Sequence, residues 1–333
     1  MADDPIKLEN PRVVAFGDGE LVGAYGGAGG TKPPGAVRGF NPATTYFWQV
    51  PPVTPGVAER LPLMPVSKKL LVYINGINTL GIDHAYTVKL ISVVTGARVI
   101  GIYNQSGDGR TERNMVGDLL QSLGDKTGIG RNLTTNTLAK AIFDACKNGK
   151  HLNIVAHSQG AIITSRAIRR AIDRLKDYYG RQDNETRTII ERIERDRGFI
   201  GNVFADNLLD RPRLREMMRE RIMPTVERVL DNYITAQTFG GAASFFPNGP
   251  RYRHVYNAWD PVARLFGQGS LIRGRGRGAE VERLNRNSAS PLPDFSPDHS
   301  VNAVYMLPSQ FYVDRNGNRV DNSYIPVDMD MVR

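Results

Sequence analysis

Short apolar runs alternate with helical patterns through the middle of the chain. Residues 70–74, 98–103 and 152–156 are rich in β-branched and aliphatic side chains, which is typical of buried parallel strands. Residues 84–94 and 137–148 carry apolar positions at helical spacing between those runs. Because strands and helices alternate in this order, the sequence predicts an α/β fold, with a mostly parallel sheet flanked by helices on both faces.

The character of the chain changes over residues 173–232, where charged residues dominate, arginine above all. Apolar positions recur there at helical spacing over residues 188–195, 199–209 and 214–230. This pattern predicts a helical insertion, after which strands resume. The later strands are predicted at residues 233–239 and 252–259, with a short edge strand at 280–284 and a helix at 299–307.

These patterns divide the chain into an N-terminal arm, a core, an insertion and a tail. Residues 1–67 are rich in glycine and proline and predict an extended arm that wraps the domain. Residues 68–172 and 233–310 predict the core. The helical insertion at 173–232 interrupts this core, and residues 311–333 follow it as a C-terminal tail.

The sequence Ala156-His157-Ser158-Gln159-Gly160 joins a buried strand to an amphipathic helix. A strand that turns into a helix within two residues strains the middle residue, so the residues two places to either side must be small. Ala156 and Gly160 meet that demand, whereas His157 is expected to point to the opposite side and to pack. The pattern predicts a nucleophile elbow that presents Ser158 above the sheet, rather than a serine that only caps the helix.

A serine nucleophile needs a base beside it and a carboxylate that orients the base. In folds of this type, the order along the chain is Ser, then acid, then His. Of the two histidines after Ser158, His254 lies inside a strand, whereas His299 lies at a loop-to-helix junction and is the predicted base. Asp260 directly follows a buried strand and is the predicted acid. The rival carboxylates are Asp206, Asp210, Asp294 and Asp298.

The developing oxyanion needs preorganised backbone N–H groups. One is expected from Gln159, at the start of the elbow helix. The other is expected from Ile77, in the turn after the first core strand, where Gly76 permits a close approach. Asn75 and Asn78 either brace that turn or are ordinary turn residues.

The insertion follows the elbow helix along the chain, which suits a cap or lid over Ser158. Its apolar residues could line an acyl pocket, or they could pack the insertion onto the body of the protein. The residues concerned are Ile189, Ile190, Ile193, Phe199, Ile200, Val203, Phe204, Leu208 and Leu209.

The composition narrows the remaining chemistry. The single cysteine, Cys146, excludes a disulfide framework and a cysteine-cluster metal site. No group of histidines and carboxylates has metal-ligand spacing. The sequence therefore predicts neither a metal nor a cofactor.

The formal net charge of +9 favours an anionic partner, such as phospholipid headgroups or nucleic acid. Because no nucleic-acid-binding motif is present, we expect transient contact with an anionic membrane surface and no specific nucleic acid. The arginine–glycine repeat at residues 273–278 is either a flexible cationic loop for phosphates or a solvated linker. The N-terminus lacks an apolar signal core and no run reaches the length of a membrane span, so we expect a cytoplasmic protein or one secreted without a signal peptide.

Four segments together resemble the α/β-hydrolase superfamily, specifically its lipase-like bacterial branch. They are Val-Tyr-Ile-Asn-Gly-Ile-Asn at 72–78, Ala-His-Ser-Gln-Gly at 156–160, Tyr-Asn-Ala-Trp-Asp-Pro-Val at 256–262 and Asp-His-Ser-Val-Asn-Ala-Val-Tyr at 298–305. The chain departs from the common pattern at Asn75, where histidine is usual, and at Ala156, where glycine is usual. The resemblance implies hydrolysis of an ester through an acyl-enzyme, with Ser158, Asp260 and His299 as the triad.

The sequence thus predicts a serine hydrolase of carboxylic esters, most simply a lipase or phospholipase that acts on lipid acyl esters. A carboxylesterase or thioesterase for small soluble acyl substrates is the first alternative. The second is a binding protein that kept the fold without catalysis.

Overall fold

The computed structural model describes eleven parts of the chain. These are residues 16–24, 37–54, 67–77, 79–105, 133–198, 212, 214–269, 274–285, 299, 301–306 and 325–333. The positions 106–132, 199–211 and 307–324, which include the predicted helix at 199–209, lie outside the described residues. None of the helices described here has the length and apolar character needed to cross a membrane.

Eight strands within the described residues form one sheet in the order β2-β1-β4-β3-β5-β6-β7-β8. The strands are β1 (Leu21–Ala24), β2 (Val37–Phe40), β3 (Leu70–Ile74), β4 (Arg98–Ile102), β5 (Leu152–His157), β6 (Ile234–Phe239), β7 (Arg251–Asn257) and β8 (Glu280–Leu284). Strands β3 to β8 are parallel, whereas β1 pairs antiparallel with both β2 and β4. The predicted α/β class, with a mostly parallel sheet, is confirmed.

Helices cover both faces of this sheet. They are α1 (Gly81–Thr95), α2 (Leu133–Lys147), α3 (Gln159–Gln182), α4 (Asn184–Gly198), α5 (Met223–Tyr233) and the short α6 (Pro261–Leu265), with a π-helical turn at Val301–Tyr305. Apolar residues of α2, α3 and α5 form one buried cluster with one face of the sheet. Residues of α1 and of the π-helical turn form a second cluster with the other face. The central strands are therefore buried on both sides, which explains their continuous apolar runs.

The strands from residue 70 onward were predicted from the sequence, whereas the two strands before residue 70 were not. The strands predicted at 70–74 and 280–284 have those bounds in the structure, and β8 lies at the edge of the sheet as expected. Of the helix predicted at 299–307, the described residues contain the five-residue π-helical turn Val301–Tyr305, whereas residues 300 and 307 lie outside the described part of the chain. Within the predicted arm, β1 and β2 extend the sheet rather than wrap it. These strands have only four residues each and lie among glycines, so no periodic pattern marked them.

The described helices of the insertion pack near the C-terminal end of α3. Ile189 is buried against Met217 and Leu214, and a Cβ at Gly180 of α3 would lie 2.8 Å from Cε of Met218. Helix α3 starts next to Ser158 and has 24 residues, so its far end lies about 36 Å away. These contacts favour a packing role for Ile189. The cap over Ser158 stays a prediction.

The segment 325–333 lies along one face of the sheet and satisfies its buried polar side chains. Arg253 donates to the carbonyl oxygen of Ile325 over 2.9 Å, and Gln237 donates to that of Asp328 over 2.8 Å. Asn153 donates to the carbonyl oxygen of Arg333 over 3.0 Å. Since these three side chains belong to β7, β6 and β5, one segment spans three neighbouring strands.

Candidate active site

The turn from β5 into α3 holds Ser158 in a strained backbone conformation. Its φ of 53° is the only positive value among the described residues other than glycine, and such strain costs about 1–3 kcal/mol. Hydrogen bonds hold the turn in place: the Ser158 N–H donates to the Phe239 carbonyl over 3.2 Å, and the Ser158 carbonyl accepts from Ala161 and Ala242 over 3.0 Å each. The local geometry is that of the predicted elbow.

Small residues around Ser158 allow the elbow to lie against the turn after β3. A Cβ at Gly160 would lie 2.6 Å from the carbonyl oxygen of Ile74, which no real side chain tolerates. A Cβ at Gly76 would lie 2.8 Å from Cβ of Ser158. Ala156 is fully buried. The glycines are therefore required by contact with backbone atoms and with the serine itself, and the Ser158 side chain is covered by the turn after β3.

His299 and Asp260 form a hydrogen-bonded pair. Nδ1 of His299 donates to Oδ2 of Asp260 over 2.8 Å, and the Asp260 side chain is fully buried. The other oxygen, Oδ1, accepts from the backbone N–H groups of Val262 and Ala263 over 2.9 and 3.2 Å, which caps the N-terminus of α6. Both carboxylate oxygens are thus held, and the imidazole keeps Nε2 for any other partner.

Tyr305 is a further partner of the same carboxylate that the sequence did not identify. Its hydroxyl donates to Oδ2 of Asp260 over 2.6 Å and accepts from the N–H of Asn257 over 3.0 Å. Gly240, at φ 53°, permits the approach, because a Cβ there would lie 2.7 Å from Oδ2 of Asp260. The only sequence signal was that Tyr305 closes the segment 298–305 that resembles lipases. Asp260 is therefore fixed by donors from three parts of the chain.

We expect Tyr305→Phe to lower kcat on an ester about tenfold and to leave KM unchanged. The phenol donates a charge-assisted hydrogen bond to the carboxylate that orients His299, and such bonds contribute about 1.5–3 kcal/mol. The matched control is Tyr252→Phe, which also removes a buried hydroxyl, one that donates to the Pro247 carbonyl over 2.7 Å. Equal activity losses in both variants would show that the effect is one of stability.

His157 packs against His299. The two ring centroids are 4.7 Å apart, and Nε2 of His157 donates to the carbonyl oxygen of His299 over 2.8 Å. Burial lowers the pKa of His157 well below its ordinary value, and the neighbouring His299 ring lowers it further. The predicted packing role agrees with this burial, and the group that the ring packs against is His299. A neutral His157 positions the backbone of His299.

Two asparagines brace the turn that carries Gly76. The side chain of Asn75 donates to the carbonyl of Asn104 over 2.9 Å, and the Asn104 N–H donates back to Oδ1 of Asn75 over 2.8 Å. The Asn104 side chain also donates to Oε1 of Gln159 over 2.8 Å. Asn75 therefore braces the turn. Asn104 escaped prediction because its partners lie far away in sequence, although it follows β4 at its carboxyl end.

The two candidate oxyanion donors belong to the first residue of α3 and to the turn after β3. Gln159 is the first residue of α3, so its N–H has no acceptor within the helix. Ile77 is half-buried in the turn after β3. Asn78 lies outside the described residues. The roles of Ile77 and Gln159 stay predictions.

The structure brings together most of the predicted triad. His299 and Asp260 are joined directly, and His157, which precedes Ser158, contacts His299. In the described part of the chain, no hydrogen bond joins the Ser158 hydroxyl to His299, a contact that commonly tightens only with substrate bound. The rival carboxylates Asp206, Asp210, Asp294 and Asp298 lie outside the described residues. The described residues also contain no group of three or more His, Cys, Asp or Glu side chains that could hold a metal ion.

Comparison with known proteins identifies a distant structural neighbour and no family. No protein family and no curated protein matches the sequence. Among solved structures, acetyl xylan esterase 1 from a Thermoanaerobacterium species aligns at 14% identity, over 70% of this chain and 73% of that chain, with a TM-score of 0.28. A TM-score this low shows no common function.

Proposed function

We propose that the protein is a serine hydrolase that cleaves carboxylic esters through an acyl-enzyme. The observation that carries this proposal is the hydrogen-bonded pair of Asp260 and His299 beside a strained serine elbow. A buried carboxylate on Nδ1 keeps the proton there, which leaves Nε2 of His299 as the basic nitrogen. The proposal assigns Ser158 as nucleophile, His299 as base and Asp260 as the orienting acid.

In the proposed reaction, Nε2 of His299 takes the proton of Ser158 as the hydroxyl oxygen attacks the ester carbonyl. The N–H groups of Gln159 and Ile77 stabilise the oxyanion. The tetrahedral intermediate expels the alcohol, which takes the proton from His299, and leaves an acyl group on Ser158. A water molecule, activated by the same nitrogen, then releases the carboxylic acid and restores the serine.

Exposed apolar side chains support lipid or phospholipid acyl esters as the substrate class. Leu80 is 57% exposed at the start of α1, Trp259 is 52% exposed before α6 and Leu265 is 68% exposed within α6. These positions follow the carboxyl ends of β3 and β7, the edge of the sheet at which active sites of α/β folds lie. Their exposure suits an amphiphilic substrate.

Labelling with a fluorophosphonate probe tests the proposal. We expect the wild type to label covalently and Ser158→Ala to lose the label completely, because the probe reacts only with an activated serine. Ser67→Ala is the matched control, since Ser67 lies before β3 at the opposite edge of the sheet. A wild type that fails to label, under conditions where its fold is intact, contradicts catalysis and supports a binding protein that kept the fold.

A chain-length series of acyl esters tests the substrate class separately. If lipid esters are the substrates, activity should rise with acyl length and persist on phospholipid vesicles. Activity that peaks at short acyl chains and is absent on vesicles would instead assign the protein to the small-substrate esterases or thioesterases.

A further inference from the structure

A cleft lies at the carboxyl end of β7, next to the turn that carries Asp260. Its volume is about 390 Å³, within the range of small-ligand sites. Two arginines and two aromatic residues dominate its lining. The lining residues are Tyr256, Ala258, Trp259, Arg264, Gly269 and Arg283. We call it the arginine cleft.

Within the described part of the chain, no carboxylate pairs with the two arginines of the cleft. Neither guanidinium group of Arg264 or Arg283 forms an ion pair or a hydrogen bond with another residue that the structure describes. Successive side chains of a strand point to opposite faces, so Glu282 of β8 lies on the other face from Arg283, where it pairs with Arg253. Among the residues that the structure describes, no carboxylate lines the cleft. Two cations in one concavity attract an anion.

The Trp259 side chain of the cleft is held by a hydrogen bond, although its ring is exposed. Nε1 of Trp259 donates to Oδ1 of Asn285 over 3.0 Å, yet the residue is 52% exposed. Tyr256 lies opposite Arg283 in the register of β7 and β8. An indole with a fixed orientation and an exposed ring packs against an apolar or sugar-like group. The cleft therefore combines two guanidinium groups with a surface for the body of a ligand.

The same turn connects the cleft to the candidate active site. Ala258 and Trp259 immediately precede Asp260, and the backbone N–H of Arg264 donates to the carbonyl oxygen of Asp260 over 3.1 Å. The carboxylate itself is buried and points to His299. Residues next to Asp260 in sequence therefore line the cleft, while Asp260 itself contacts His299. Both lie at the edge of the sheet that carries Ser158.

We propose that the arginine cleft binds the phosphate group of an ester substrate, so that the protein acts on phosphate-bearing acyl esters. Guanidinium groups bind phosphate oxygens through paired hydrogen bonds, and the net positive charge of the chain adds to this attraction. The assignment of the phosphate to a substrate rests on the proposed ester hydrolysis. The anion-binding property of the cleft does not.

The first experiment measures hydrolysis of dihexanoyl phosphatidylglycerol and of neutral dihexanoylglycerol by the full chain. We expect Arg264→Gln with Arg283→Gln to raise KM for the phospholipid about tenfold, and to leave kcat and KM for the neutral ester unchanged. Arg251→Gln is the matched control, because Arg251 lies at the amino end of β7 and pairs with Asp231. Equal changes on both substrates would overturn the proposal.

The second experiment measures binding by calorimetry in the Ser158→Ala background, with dihexanoyl phosphatidylglycerol and with inorganic phosphate. We expect the two arginine substitutions to weaken phospholipid binding about tenfold. If the wild type showed no esterase activity but the cleft still bound the phospholipid, ester hydrolysis would be refuted and the anion site would stand. If the wild type hydrolysed both esters with no preference for the phospholipid, phosphate binding by the cleft would be refuted and the proposed ester hydrolysis would stand. Weakened binding of inorganic phosphate alone would also overturn the substrate assignment.

Discussion

Asp260→Asn should lower kcat on an ester by about 10⁴-fold while the fold remains intact, which is the loss known for the equivalent change in a serine protease triad. The amide oxygen of asparagine can still accept from the N–H groups of Val262 and Ala263, so the cap of α6 survives. The amide nitrogen then faces Nδ1 of His299 and donates to it. Nδ1 becomes the acceptor and Nε2 carries the proton, so His299 can no longer take the proton of Ser158.

Steady-state kinetics on a soluble ester, together with thermal unfolding, check this result. The matched control is Asp183→Asn, because Asp183 also accepts from a backbone N–H at a helix start, that of Thr186 over 2.9 Å, far from the candidate site. We expect that variant to keep its activity. If Asp260→Asn kept nearly full activity, the orienting acid would have to be another carboxylate, with Asp294 the first to test.

Acid should unfold the protein steeply, because its described core contains neutral histidines. Burial lowers the pKa of His84 to about 3 and that of His254 to about 4. Both ring nitrogens of His84 lack a hydrogen-bond partner among the described residues, so nothing nearby favours the charged form. His254 has partners at both nitrogens, Thr238 and the carbonyl of Arg275.

These lowered pKa values determine whether acid raises or lowers the free energy of unfolding. Above about pH 6.5 a histidine is neutral in both the folded and the unfolded chain, so its titration does not change stability. Below that pH the unfolded chain takes up a proton and the folded chain does not. The free energy of unfolding therefore falls by about 1.4 kcal/mol per pH unit for each such histidine, until the folded pKa is reached. His84 and His254 together remove about 3 kcal/mol per pH unit between roughly pH 6 and 4, and His157, whose pKa burial also lowers, acts in the same direction.

Urea unfolding at a series of pH values measures this slope. We expect His84→Leu to reduce the slope below pH 6 by about 1.4 kcal/mol per pH unit, since the variant has one proton fewer to take up on unfolding. The matched control is His151→Gln, because His151 is exposed before β5 and is not one of the buried histidines. An unchanged slope in His84→Leu would mean that His84 accepts a proton in the folded state.

Local sequence patterns predicted those parts of the fold that depend on residues within a single strand, helix or turn. Short apolar runs predicted β3, β4 and β5, and the small residues around Ser158 predicted the elbow turn. Strands β1 and β2 were not predicted, because four residues among glycines show no periodic pattern. Tyr305 and Asn104 escaped because their partners are distant in sequence: Tyr305 reaches Asp260 across 45 positions, and Asn104 reaches Gln159 across 55. Contacts of that kind follow from tertiary packing and leave no local signal.

The segment 325–333 has a consequence for the timing of assembly. It reaches Asn153 across 180 positions and Lys69 across as many as 263. Closing such long loops costs entropy before any contact forms, so native topologies of this kind are reached slowly. Until that segment docks, Asn153, Gln237 and Arg253 lack the carbonyl acceptors that it supplies, although Asn153 also donates to the Leu70 carbonyl and Arg253 to Glu282. The polar side chains of the central strands therefore gain these acceptors only after the segment 325–333 has been synthesised and has docked.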